Sequence, residues 1–144
     1  MADTARENSV SALLVGEYEM DRLLVHEIFH KLNWRLFEAR DRKRAMDCLR
    51  RHPVHVVVAE ASVPNWNWKI VLNDLRRLSR PPQLIVASRH ADDYLWAEAL
   101  NVGAYDVLPQ PFARDEVERV VASARRHFET QSLLTLKTRI AGVA

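Results

Sequence analysis

Glycine and cysteine are both scarce, and each scarcity removes a class of chemistry. Three glycines occur in 144 residues. None belongs to a G-x-G-x-x-G or Walker-type run, so the glycine-rich loops that cradle nucleotide phosphates are missing. The single cysteine, Cys48, excludes an internal disulfide and fits a reducing compartment. No apolar stretch approaches the roughly 18–20 residues that a membrane helix needs. Residues 1–9 are polar and lack the apolar centre of a signal peptide. A cytoplasmic protein with no membrane contact is expected.

Charge of either sign is nearly balanced, with 21 Lys+Arg against 19 Asp+Glu and a formal net charge of +2. Basic residues cluster at Arg40, Arg42, Lys43 and Arg44, at Arg50 and Arg51, and at Arg76, Arg77 and Arg80. Each cluster is interleaved with apolar residues at helical spacing, the pattern of a solvated helix face. Nucleic-acid binding by this domain is not expected, because such footprints carry a stronger charge bias. The 48% hydrophobic and 28% charged content fits one globular domain with a sizeable core.

What is present alternates. Residues 11–15 (SALLV) form a short apolar run, as do residues 55–59 and 83–87 (QLIVA). Residues 34–39 and 105–108 supply two further candidate strands. Between them, residues 21–33, 41–51, 69–78, 92–100 and 114–128 place apolar side chains at helical intervals. Asp21 stands at the first helix start, where a carboxylate suits the dipole, and Gly103 follows the fourth helix as a cap. In the third helix, Ile70, Val71, Leu75 and Leu78 are expected on the buried side. Five strands alternating with five helices predict a doubly wound parallel sheet covered on both faces. Glu60 ends the central run of Val56, Val57, Val58 and Ala59. A carboxylate there lies at the carboxyl end of a buried strand, where open α/β sheets place their chemistry.

This order resembles the receiver domain of bacterial two-component response regulators (the CheY-like, flavodoxin-like fold) over residues 11–128. Three stretches carry the resemblance. They are residues 101–112 (NVGAYDVLPQPF), Glu60 followed four positions later by Pro64, and QLIVAS ending at Ser88. The resemblance implies phosphoryl transfer to a strand-three Asp, with Mg²⁺ held by an acidic pair, a hydroxyl that senses phosphate and a Lys that pairs with it. Here the acidic pair becomes Gly16 and Glu17, and the phosphoacceptor position is Glu60. Ser88 keeps the hydroxyl, Val107 takes the aromatic switch position with Tyr105 nearby, and Gln110 replaces the Lys. Pro111 is expected to follow a cis bond, as in the family. Glu moves its carboxylate by about one bond length relative to Asp, and a misplacement near 1 Å costs about 10²-fold in positioned chemistry. Losing the Lys removes a charge-assisted bond.

The expectation is a non-enzymatic pseudo-receiver with no catalytic residue, no cofactor and no bound Mg²⁺. It would act as a signalling and interaction module. A protein partner or a second copy is expected on the face of the fourth helix, fifth strand and fifth helix. Glu60 either imitates a phosphorylated Asp or is a partly solvated carboxylate bonded to Ser88 or Gln110. Two alternatives are a receiver with residual metal binding at Glu17 and Glu60 or phosphorylation at another residue, and the regulatory part of a DNA-binding regulator whose output domain is absent. The zinc-protease pattern HEIFH at His26–His30 falls on the solvent side of its helix and lacks a third ligand. Trp66 and Trp68 are expected in a loop, either anchoring a partner or closing the pocket. Residues 1–10 are expected as a flexible lead-in. Residues 129–144, with Leu133, Leu134, Leu136 and Ile140 at helical spacing, are expected as a helical extension or linker.

Overall fold

A computed structural model describes residues 9–143 of the chain. Most of the lead-in expected over residues 1–10 lies outside the described residues. Within them Val10 is fully buried and the Ser9 carbonyl accepts from Arg125 Nε at 2.9 Å.

The apolar runs become the strands β1 (Ser11–Val15), β3 (Val56–Glu60), β6 (Gln83–Ser88) and β7 (Asp106–Pro109), with β2 (Arg35–Ala39) at one edge. They pair in the order β2-β1-β3-β6-β7, all parallel. The order reverses between β1 and β3, and this switch point is where such sheets open a crevice at their carboxyl ends. Strands buried on both faces read as continuous Val/Ile/Leu runs rather than alternating ones. Val56, Val57 and Val58 are accordingly at most 5% exposed.

Five helices cover the sheet: α1 (Arg22–Lys31), α2 (Arg42–Arg51), α3 (Trp68–Arg76), α4 (Asp93–Val102) and α5 (Arg114–Val143). Three of them start on a side-chain cap. Asp41 accepts from Arg44 N at 2.9 Å, Asn67 from Lys69 N and Ile70 N, and Asp92 from Leu95 N. Such caps satisfy amide groups that have no partner within the helix. Gly103, at φ +112°, closes α4 as expected. One layer of the core joins Ala45, Val71, Leu75 and Ala99 to the sheet, and the other joins Val25, Ile28, Phe29, Val117 and Val121 to its opposite face. Ile70 departs from expectation: it is 44% exposed, and Leu72 takes the inward place.

The tryptophan segment differs from the loop that the sequence suggested. Ser62–Val63 and Trp66–Asn67 form a small antiparallel hairpin, β4 and β5. Its two central residues are Pro64 and Asn65, the latter at φ +59°, the residue pattern of a type II turn. Trp66 and Trp68 are both buried in the core layer under α3, so they present no anchor to a partner. Trp66 Nε1 donates to Asp74 Oδ2 at 2.7 Å, and Arg42 Nε donates to the same carboxylate oxygen at 2.9 Å. Burial alone would raise the Asp74 carboxyl, but the bonds from Arg42 and Trp66 outweigh it and hold it below the ordinary value. Asp74→Ala should therefore leave a buried indole N–H unmatched and lower stability by about 2 kcal/mol in urea unfolding. Asp74→Asn, which keeps an acceptor oxygen, should cost less.

At the amino ends of the strands, His55 Nδ1 accepts the Ser11 N–H at 3.0 Å, and the ring packs edge-on against Phe128. Burial lowers its pKa to about 4, the Arg125 and Arg80 charges push the same way, and Glu129 only partly offsets them. The folded state thus needs the neutral ring. His55 contributes stability that is complete above pH ~6.5, the unfolded value. That contribution is lost as pH falls from there through about 4. The urea midpoint of His55→Asn, which keeps an acceptor but cannot titrate, should fall less over this window than that of the parent chain.

Candidate functional site

The carboxyl ends of β1, β3, β6 and β7 bring together most of the positions singled out in the sequence. Glu60, at the end of β3, is half-buried and folds back over the end of β1. Its Oε1 accepts the Glu17 N–H at 2.8 Å. This path crosses Gly16, which has φ +133° and lies so close that a Cβ there would stand 2.2 Å from Glu60 Oε1. Only glycine combines that backbone angle with that approach. Gly16 thus makes room for the longer carboxylate, and the bond that holds it comes from backbone rather than from Ser88 or Gln110.

The other expected members point elsewhere. Ser88 Oγ accepts the His90 N–H at 3.0 Å, closing a turn at the end of β6. Gln110 Nε2 donates to Asp21 Oδ2 at 3.0 Å. Val107 is fully buried in the sheet core. Tyr105 precedes β7 and hydrogen-bonds through its hydroxyl to Ser123. The Gln110–Pro111 peptide bond is cis, as expected. The Glu17 side chain is exposed.

Two residues that sequence reasoning passed over complete the arrangement. Asp21 is 4% exposed, and its Oδ1 accepts the Phe112 N–H at 2.8 Å while Oδ2 holds Gln110. Although it occupies the cap position of α1, its backbone is helical (φ −105°, ψ −13°) and its side chain makes no cap bond. The carboxylate serves the loop after β7 instead of its own helix. Tyr18, 2% exposed with φ +49°, fills the space between these groups. Its hydroxyl donates to Val58 O at 3.0 Å, and its ring lies 5.8 Å from that of Phe112. Burial pushes the Tyr18 phenol well above its ordinary value, and the charges of Glu60 and Asp21 add to the shift. It therefore stays a protonated donor. A left-handed backbone at a bulky residue is unfavourable, and burial of the ring with a satisfied hydroxyl offsets it. The one available signal was Gln110 itself, because a half-buried amide in a cation's place needs an acceptor within reach.

A hard divalent cation such as Mg²⁺ takes octahedral oxygen ligands at about 2.0–2.1 Å. Gly16 offers no carboxylate, Glu17 faces solvent, and one of the two Glu60 oxygens is taken by a backbone amide. Among the described residues no group of three His, Cys, Asp or Glu side chains gathers anywhere. The residues present do not fit the ion. His26 of the HEIFH stretch instead lies 3.2 Å from Glu38, and His30 is exposed.

Gly16→Ala should destabilise the domain by about 1–3 kcal/mol through backbone strain, with a further loss from the clash with Glu60. In Gly16→Ala/Glu60→Ala the clash disappears. The double variant should be more stable than the sum of the single losses predicts, measured as a urea double-mutant cycle.

Comparison with known proteins places this geometry. The response regulator receiver domain family matches residues 12–122. Response regulator GtcR of Aneurinibacillus migulanus is 26% identical over 120 residues, 81% of this chain and 49% of that protein. The chain thus spans about half the length of that relative. Among solved structures, the signal receiver domain of an HD domain-containing protein from Pseudomonas fluorescens Pf-5 superposes with a TM-score of 0.73 at 24% identity, covering 85% of this chain and 98% of that one. The receiver domain of Ssk1 from Saccharomyces cerevisiae, solved with the histidine phosphotransfer protein Ypd1, has a TM-score of 0.68 at 13% identity, covering 79% and 87%. With its five-stranded parallel sheet between five helices and a family match over most of its length, the chain belongs to the response regulator receiver domain family.

Proposed function

We propose that this receiver works without phosphorylation, as a non-enzymatic signalling module that acts by binding other proteins. The observation that carries this reading is the commitment of Glu60 Oε1 to the Glu17 backbone amide over a side-chain-free Gly16. An acceptor for phosphoryl transfer needs a free oxygen in line with the donor and a nearby cation to neutralise developing charge. Here Gln110 supplies no charge and already donates to Asp21. No Mg²⁺ takes part in this reading.

Imitation of a phosphorylated Asp would require Glu60 to draw in the phosphate-sensing hydroxyl and the Lys-equivalent side chain. Ser88 and Gln110 both have other partners, which favours a structural Glu60. The interaction face we assign is formed by α4, β7 and α5, open to a protein partner or a second copy. Leu100 of α4 is 49% exposed, whereas Tyr94 and Val102 lie toward α3, beside Glu98 and Arg76. The Ssk1 receiver, solved with its phosphotransfer partner, is a relative of the same fold that engages another protein.

Incubation with acetyl phosphate and Mg²⁺ should leave the intact mass unchanged, and beryllofluoride with Mg²⁺ should not shift the amide resonances of Gly16, Glu17, Glu60 or Ser88. A gain of one phosphoryl group mapping to this pocket would overturn the reading in favour of residual chemistry at a non-Asp residue. Glu60→Gln and Glu60→Asp should both leave oligomeric state and partner affinity unchanged. A change in either would restore the imitation reading.

A further inference from the structure

At the opposite end of the sheet from Glu60, the loop before β6, the end of α3 and the protruding half of α5 enclose a groove of about 490 Å³. Its apolar surface comes from Leu72, Pro81, Pro82, Leu133 and Leu136. Leu133 and Leu136 remain 57% and 55% exposed, and Ile140, 63% exposed, continues their stripe one turn further on. The rim carries Arg76, Arg80, Arg139 and His127 against one acid, Glu129. That acid is already taken, since Arg125 Nη1 binds it at 2.7 Å. Among the described residues neither Arg80 nor Arg139 pairs with a carboxylate. A second depression of about 390 Å³ shares Ser79, Arg80 and Pro82 with the groove and adds Arg50 and His52, so the cationic rim extends across the amino end of the sheet.

We propose that this groove docks an acidic amphipathic segment of a partner protein, its apolar side chains on Leu133, Leu136 and the prolines and its carboxylates toward Arg80 and Arg139. Helix-in-groove recognition needs this pairing of an apolar stripe with flanking charge of the opposite sign. The chain's own composition argues against a second copy as occupant. After Glu129 the sequence contains no acidic residue, whereas Lys137 and Arg139 follow, so the tail of a second copy would bring like charge to a cationic rim. Nucleic acid is disfavoured by the aliphatic surface. The rings nearby are engaged: Phe128 is covered by the Arg80 guanidinium at 5.1 Å and His127 packs on Tyr105 with centroids 5.2 Å apart, whereas single strands bind largely by stacking on free rings. The groove lies away from Glu60, so the proposal stands whether or not the phosphorylation site is silent.

The test is fluorescence anisotropy of the full chain with a labelled synthetic helix of about four turns, leucines along one face and glutamates elsewhere. Saturable binding in the micromolar range is expected, weakening as salt screens the contact. Arg139→Glu and Leu136→Asp, both at exposed helical positions, should each weaken it about tenfold or more with unchanged thermal melting. Several results would overturn the proposal: no saturable binding, equal binding of the lysine counterpart of the same pattern, or binding indifferent to both variants. Tighter binding of a single-stranded oligonucleotide would reassign the groove to nucleic acid. A dimer in sedimentation that Leu136→Asp abolishes would reassign it to a second copy.

Discussion

The buried carboxylate of Asp21 is the constraint around which the carboxyl end of this sheet is organised. A carboxyl group this far from water is tolerable only when donors surround it, and the donors come from across the molecule. Phe112 N and Gln110 Nε2, both beyond β7, reach back about ninety residues to the start of α1. This fixes the loop after β1 to the loop after β7. It also decides what Gln110 cannot do, because an amide held by Asp21 is unavailable to Glu60. Tyr18 is trapped between the two carboxylates, with its hydroxyl turned to Val58 O. Glu60 is left with the Glu17 amide as its partner. Of these four side chains, Gln110 and Asp21 hold each other, while Tyr18 and Glu60 are held by backbone groups.

Charge placement explains why such a substitution of partners is stable. A Lys near Asp21 and Glu60 would serve two carboxylates at once, and its replacement by Gln removes that compensation. Asp21 recovers part of it from a backbone N–H, and Glu60 recovers part from another. Each bond is charge-assisted and costs little flexibility, because backbone donors are already fixed by the strands and loops that carry them. The glycine at position 16 is the geometric counterpart of this electrostatic solution. With any side chain there, the Glu60 carboxylate would be pushed off the amide that holds it.

The sheet was legible because strands buried on both faces leave unbroken Val/Ile/Leu runs, and β1, β3 and β6 were each readable from such a run alone. The positions at strand ends were legible through family resemblance, and the structure gathers Gly16, Glu17 and Glu60 as that resemblance implied. Their partners were not legible. Asp21 looked like a helix-start carboxylate because a sequence records proximity along the chain, whereas its donors lie across the fold. The β4–β5 hairpin escaped because two-residue strands are shorter than any periodic signal. Trp66 and Trp68 were misplaced with it, although Asp74, an acid on the buried side of α3, was the acceptor that the Trp66 indole needed. Residues 129–144 were expected as a helical extension or linker, and as far as Val143 they continue α5 without a break, there being no stop signal after Phe128.

The two ends of the sheet therefore stand in contrast. At the carboxyl end, hydrogen-bond donors and acceptors are matched internally, and Val107 is fully buried. At the amino end, α5 runs past the sheet with its leucines in water and arginines without carboxylates beside them. A domain of this family ordinarily changes its surface in response to events at the carboxyl end. On the function proposed above, a response begins from surface that still has unmatched groups. Unpaired cations beside exposed leucines form such a surface, and α5 joins it to Phe112 through the core that Val117, Val120 and Val121 share with α1. The groove at the amino end is thus packed continuously, through α5, against the core beneath α1.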